Sequence, residues 1–157
     1  MHTIDKKIKE LELILPKMAN PIANYLPFKI SKNIVYISGQ APIMDGKIIF
    51  SGKIGDKLSI EDGISAAKLC CMNILSIIKY ACNDDWNNFN EIVKIGGFVN
   101  CKDNFTDHPK IINGASNLLV EILGDKGKHA RFAVGSNSLP LDIAVEIEAV
   151  VSLNNIK

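Results

Sequence analysis

Arginine is almost missing from this sequence: of 18 basic residues only Arg131 is one, and the rest are lysines. Histidine is scarce too, and His2, His108 and His129 are not spaced as metal ligands. There is no HExxH helix motif and no nucleophile elbow, so no metal centre or serine-hydrolase site is indicated. No GxGxxG or GxxxxGKT loop occurs, and Gly52-Lys53-Ile54-Gly55 reads as a simple turn. No bound cofactor is expected. The four cysteines, Cys70, Cys71, Cys82 and Cys101, contain no CxxC pair, which argues against a zinc knuckle or a thioredoxin-type couple. They are expected as buried free thiols in a reducing compartment. Net charge is scarce as well. Eighteen basic against 17 acidic side chains leave +1, which gives no electrostatic reason for a polyanion partner and disfavours nucleic acid. No apolar run approaches the ~20 residues of a membrane span. Asp5, Lys6, Lys7, Lys9, Glu10 and Glu12 crowd the N-terminus with charge where a signal peptide needs an apolar stretch, so a cytoplasmic location is expected.

What is present is a 47% hydrophobic chain of a length suited to one domain over residues 1–157. Thr3 can cap a first helix with Ile4, Ile8, Leu11 and Leu15 at helical spacing, ended by Pro16, which makes residues 1–16 a helical extension. Pro21 to Pro27 then reads as an extended lead-in, because two prolines there preclude a helix. Ile34 to Ile37 is a strand ended by Ser38-Gly39-Gln40, and Asp45-Gly46 is a hairpin turn with Lys47 to Phe50 returning. Ser59 and Asp62 form a capping box ahead of a long helix with Ile64, Ala67, Cys71, Ile74, Leu75, Ile78 and Cys82 on one face. Asn83-Asp84-Asp85 closes it. Glu91 to Asn100 is a strand in which Gly96-Gly97 signals a bulge or a close backbone approach. A second long helix starts near Asp107, with Pro109 in its first turn and Gly124 as its stop. Strands over Ala130–Ser136 and Ile143–Leu153 complete the chain.

Strands alternating with two long helices indicate an α/β (α+β) architecture, a mixed sheet with both helices on one face. The other face, bearing valine and isoleucine, needs cover, so self-association is a physical expectation.

Arg131 lies in a strand among small and apolar neighbours. A guanidinium there can hold a carboxylate through two parallel hydrogen bonds; it can equally be a structural ion pair or an arginine snorkelling to the surface. In the last strand, alternation puts Glu146 and Glu148 on one face. If the closing strands form a hairpin centred between Ser138 and Leu139, Arg131 stands opposite Glu146 on the same sheet face, as a functional pair or an ordinary cross-strand ion pair.

These segments together resemble the Rid/YjgF family of reactive-intermediate (enamine/imine) deaminases. The match rests on Asn24-Tyr25 after the lead-in, Ile37-Ser38-Gly39-Gln40-Ala41-Pro42, Asn113, and the closing signature Ala130-Arg131-Phe132-Ala133-Val134, Leu139-Pro140 and Val145-Glu146-Ile147-Glu148-Ala149. It spans about residues 19 to 152. The N-terminal helix and the insertion Gly124–Lys128 are similar to the longer-chain, endoribonuclease-labelled branch. The resemblance implies a chorismate-mutase-like fold, assembled as a homotrimeric barrel with ligands in clefts between subunits. It implies that Arg131 binds the carboxylate of a small imino or keto acid and that Glu146 orients the attacking water. Tyr25, Ser38, Gly39, Asn113 and Ala133 would shape the pocket. Ala133 stands where the shorter branch often carries cysteine, and His129 where the family usually has proline or alanine. Endoribonuclease activity and a non-catalytic trimer that binds small carboxylates are the competing functions.

Overall fold

The structure is a computed structural model and describes residues 1–18 and 24–154. Its core is a five-stranded sheet in the order β1-β2-β7-β5-β6, built from Phe28–Ser31, Ile34–Gln40, Val145–Leu153, Phe89–Asn100 and Ala130–Ser136 respectively. A two-residue-per-strand hairpin, β3 (Ile43–Met44) and β4 (Lys47–Ile48), stands apart, turned by Asp45 and Gly46, both at positive φ. That left-handed pair is the turn that matches strand twist in a two-residue loop. The helices are α1 (Thr3–Glu10), α2 (Ile60–Ala81) and α3 (His108–Leu123).

α2 forms where its local signals place it. Ser59 Oγ accepts from the Asp62 amide and the Asp62 carboxylate accepts from the Ser59 amide, a reciprocal cap that stabilises by about 1 kcal/mol. Of the expected face, Ala67, Cys71, Ile74, Leu75, Ile78 and Cys82 are buried against sheet and α3, and Ile64 is partly buried. By length and composition alone this 22-residue helix could cross a membrane, but most of its apolar stretch is buried inside the fold, as in a core helix. α3 crosses it closely, because Gly114 lies against the Ile64 carbonyl and a β-carbon there would overlap it. All four cysteines are free and buried; burial raises the Cys70 and Cys71 thiols and pushes Cys82 up to about 11.

The N-terminal segment departs from expectation. His2, not Thr3, caps α1, its Nδ1 accepting from the Ile4 amide at 3.2 Å. The helix ends at Glu10 rather than Pro16. Leu11, Leu13 and Leu15 all pack on the core, a period of two that an extended chain satisfies and a helix cannot. Of the lead-in, Pro21 to Ala23 lie outside the described residues; beyond Pro27, in a stretch with no sequence-based assignment, Phe28–Ser31 is a strand paired with β2.

The largest departure concerns the closing strands, which do not form a hairpin. β6 runs parallel to β5 at the sheet edge, and β7 inserts antiparallel between β2 and β5. The inward residues explain the choice. Val145, Ile147, Ala149, Val151 and Leu153 are all essentially buried, which suits a central strand. β6 offers Arg131, Ala133 and Gly135 to the helix side; in a central position these would leave voids and a buried charge. Pro140 and the positive-φ residues Leu141 and Asp142 swing the chain away before β7 begins.

Candidate functional site

Register fixes which face each candidate occupies. Arg131 aligns across β5 and β7 with Ile95 and Ala149, both core residues, so it points to the helix side. Glu146 aligns with Phe98 and Val134, both exposed on the opposite, uncovered face. The expected juxtaposition of Arg131 and Glu146 within one chain is therefore absent. They stand roughly 10 Å apart across the sheet and about 10 Å along it, on opposite sides.

On the helix side, Arg131 is half-buried against α3. Its Nη1 donates to Ser116 Oγ at 3.1 Å and its Nη2 donates to the Pro109 carbonyl at 3.3 Å. Pro109, Asn113 and Ser116 are spaced i, i+4 and i+7 on α3; Asn113 is exposed and lines a groove with Ile64 and Lys68 of α2. Ala133 lies two residues further along the same face of β6, packed partly on the core. Among the described residues, the ion pairs are Lys7–Glu10, Lys79–Asp5 and Lys128–Asp125; none involves Arg131. A guanidinium held by two neutral oxygens retains its charge and its remaining N–H donors for an incoming anion.

On the open face, the β2–β7 pairing is interrupted by a bulge between Ile37 and Gln40. The bulge brings Gly39 against the Glu146 carboxyl so closely that a β-carbon at 39 would overlap Oε1. Burial, reinforced by the neighbouring Glu148 carboxylate, raises the pKa of Glu146 above the usual glutamate range. Ser38 ties the lead-in to this place: its hydroxyl donates to the Leu26 carbonyl at 2.6 Å, and its amide donates to that of Pro27 at 3.0 Å. Tyr25, exposed, immediately precedes that anchored segment.

The sequence-predicted residues thus fall into two groups, two candidate half-sites: Arg131, Asn113 and Ala133 on β6 and α3, and Ser38, Gly39 and Glu146 around the β2 bulge, with Tyr25 exposed in the lead-in. Two further residues adjoin the first group: Ser116, and His129, whose Nε2 is 2.9 Å from Ser116 Oγ. The period of two was a signal for His129, since residues 129 and 131 of an extended chain share a side. No group of three or more His, Cys, Asp or Glu side chains able to hold a metal occurs among the described residues.

A family model described as "YjgF/chorismate mutase-like, putative endoribonuclease" matches residues 6–151. Protein TCP17 of Trypanosoma cruzi is 36% identical over 149 residues, spanning 94% of this chain and 92% of that protein. The crystal structure of Atu1372 from Agrobacterium tumefaciens, a protein of unknown function, superposes with a TM-score of 0.91 at 42% identity, over 97% of this chain and 93% of that one. A Shewanella oneidensis structure under the same endoribonuclease description superposes with a TM-score of 0.92 at 29% identity, over 97% and 100% of the two chains.

Proposed function

This chain belongs to the YjgF/chorismate mutase-like family, and we propose that it hydrolyses small 2-imino acids, and their enamine tautomers, to 2-keto acids and ammonia. The observation that carries this reading is Arg131, fixed by two neutral acceptors and paired with no carboxylate among the described residues. A substrate carboxylate is the natural partner for that fork. Glu146, with a raised pKa, suits the other half of the chemistry. Water adds to the carbon of a protonated imine while Glu146 takes its proton. The resulting carbinolamine takes that proton back on its nitrogen, and as the C–N bond breaks the hydroxyl proton passes to the departing ammonia, so the neutral ketone and ammonium leave and the carboxylate ends ionised as it began. Holding the acid by its carboxylate beside a positioned water supplies much of the acceleration.

Because the half-sites lie on opposite faces, a complete site requires two copies of the chain, with Arg131 from one and Glu146 from the next. Tyr36, Phe98 and Val134 leave 52%, 37% and 42% of their surface exposed on the open sheet face, an apolar area suited to contact between copies. Three copies closing their sheets into a barrel, as the family resemblance implies, would make three such sites. The reaction is tested by generating 2-iminobutanoate in situ and following keto-acid release with and without protein. The composite site is tested by refolding Arg131→Ala and Glu146→Gln subunits together. Each alone should be inactive, and random mixing should restore about a quarter of the wild-type sites; no recovery would sink the shared site. The endoribonuclease description is the rival reading, and it predicts RNA cleavage that co-purifies with the protein and disappears in Arg131→Ala.

A further inference from the structure

The catalytic reading leaves His129 and Ser116 without a task, yet both lie behind the arginine on which it depends. Ser116 Oγ accepts from Arg131 Nη1 at 3.1 Å and is 2.9 Å from His129 Nε2. His129 Nδ1 is in turn 2.6 Å from the Gly127 carbonyl. For the neutral ring the direction of each bond follows by elimination. A backbone carbonyl has no proton to offer, so Nδ1 of the neutral ring carries the hydrogen and donates it. Nε2 is then a bare lone pair, and the single Ser116 proton fills it. That leaves the serine oxygen free to accept, which is what the guanidinium requires. Gly127 completes the arrangement: a β-carbon there would overlap the Leu119 carbonyl of α3, so glycine lets the turn approach closely enough to place its own carbonyl under the ring.

We propose that Ser116 and His129 are positioning residues for Arg131. The chain Gly127 carbonyl, His129, Ser116 holds one Nη from behind while the Pro109 carbonyl holds the other, and the outer donors are left aimed at the space a carboxylate would fill. Neither residue touches substrate. An arginine on its own loses rotamer entropy on being fixed, and a fork held in advance no longer meets that cost when it binds. The inference rests on the proposed role of Arg131 as carboxylate anchor.

The test uses Ser116→Ala, Ser116→Thr and His129→Ala in the full chain, with binding of 2-ketobutanoate by calorimetry beside imine turnover. Ser116→Ala and His129→Ala should raise KM and the 2-ketobutanoate Kd by about tenfold with kcat within about twofold, the signature of lost uniform binding. Ser116→Thr keeps the hydroxyl and should return both to within about threefold of wild type. Nitrogen-15 imidazole spectra of the wild type should show His129 protonated on Nδ1. The proposal is overturned by Ala variants that bind like wild type, by Ser116→Thr failing as badly as Ser116→Ala while folded, or by a neutral ring protonated on Nε2. A wild type that binds 2-ketobutanoate but turns over no imine removes the catalytic reading and leaves this proposal to be decided by binding. A wild type that does neither overturns the carboxylate anchor and the proposal together.

Discussion

Gly39 touches the carboxyl group of Glu146, and the contact leaves no room for even one added carbon. The backbone conformation at 39 is not one reserved for glycine, so an alanine there meets the carboxyl and nothing stiffer. Gly39→Ala should therefore push the Glu146 side chain aside without unfolding the sheet. Turnover should fall by about 10- to 100-fold, and the melting temperature should shift by only a few degrees. Kinetics beside a melting curve check it; full activity would mean that the Glu146 position is unimportant.

Arg131→Lys keeps the charge and loses the fork. An ammonium offers one point of contact where the guanidinium offers two parallel donors, and it cannot span Ser116 and Pro109 at once. Loss of about 3 kcal/mol, over a hundredfold in kcat/KM, is expected with the fold intact. Near wild-type kcat/KM from this variant would return Arg131 to a structural role.

Glu146 gives a pH signature in both activity and stability. Its folded-state pKa is raised, by burial first and the Glu148 charge second. The acid limb of kcat/KM should accordingly lie above the ordinary glutamate range. For stability the sign is opposite to that of a salt-bridged acid. The contribution is fully present below the unfolded-state pKa and is lost as pH rises through the raised folded-state value. Glu146→Gln should hence melt at or above wild type at neutral pH, with the gap closing in acid. A variant less stable than wild type at neutral pH contradicts this.

Asp5 docks α1 onto the core, with Oδ1 accepting from Lys79 Nζ at 3.0 Å and from Trp86 Nε1 at 3.0 Å. Burial alone would raise its pKa, but the two hydrogen bonds and the lysine charge outweigh it and hold the carboxyl below its usual value. Its contribution is present above the unfolded-state pKa and fades as pH falls through the folded-state one. Asp5→Ala strands the indole N–H of Trp86, which is 2% exposed, and should cost about 1–2 kcal/mol at neutral pH and less in acid. Denaturant melts at two pH values read this directly.

The two long helices were legible because their signals are local. The Ser59–Asp62 box and the apolar stripe of α2 lie within a few turns of each other, and Pro109 and Gly124 bracket α3 without reference to the rest of the chain. β6 was found at its observed limits for the same reason. Pairing was not legible, because the expected hairpin took sequence neighbours to be sheet neighbours, a tendency that the 137–144 connection defeats. A cue was present: Arg131, Ala133 and Gly135 make a poor core face, whereas every second residue from Val145 to Leu153 makes a good one. Gly96-Gly97 was half read. The bulges fall earlier, at Phe89/Glu91 and Ile92/Lys94, and the glycines serve close approach, with Phe132 against Gly96 and Ile112 against Gly97. Ser116 carried no signal at all, since a serine on a helix gains meaning only from the strand that packs over it.

The place of β7 has a consequence for how the chain reaches this state. β1 and β2 pair with each other, and β5 with β6, but the two pairs are joined only through β7, which follows them all in sequence. Until residues 145–153 are available, the nascent polypeptide can hold two separate β-ribbons and no continuous sheet, with the apolar faces of β2 and β5 meeting solvent at unsatisfied edges. Closure depends on contacts of long sequence separation, such as Ile34 with Ser152, which makes folding slow for a chain of this size and exposes it to aggregation while it waits. Emergence of β7, rather than emergence of the helices, then becomes the step that commits the domain to its native form, and a stall before β7 would leave a chaperone substrate in place of a folded domain.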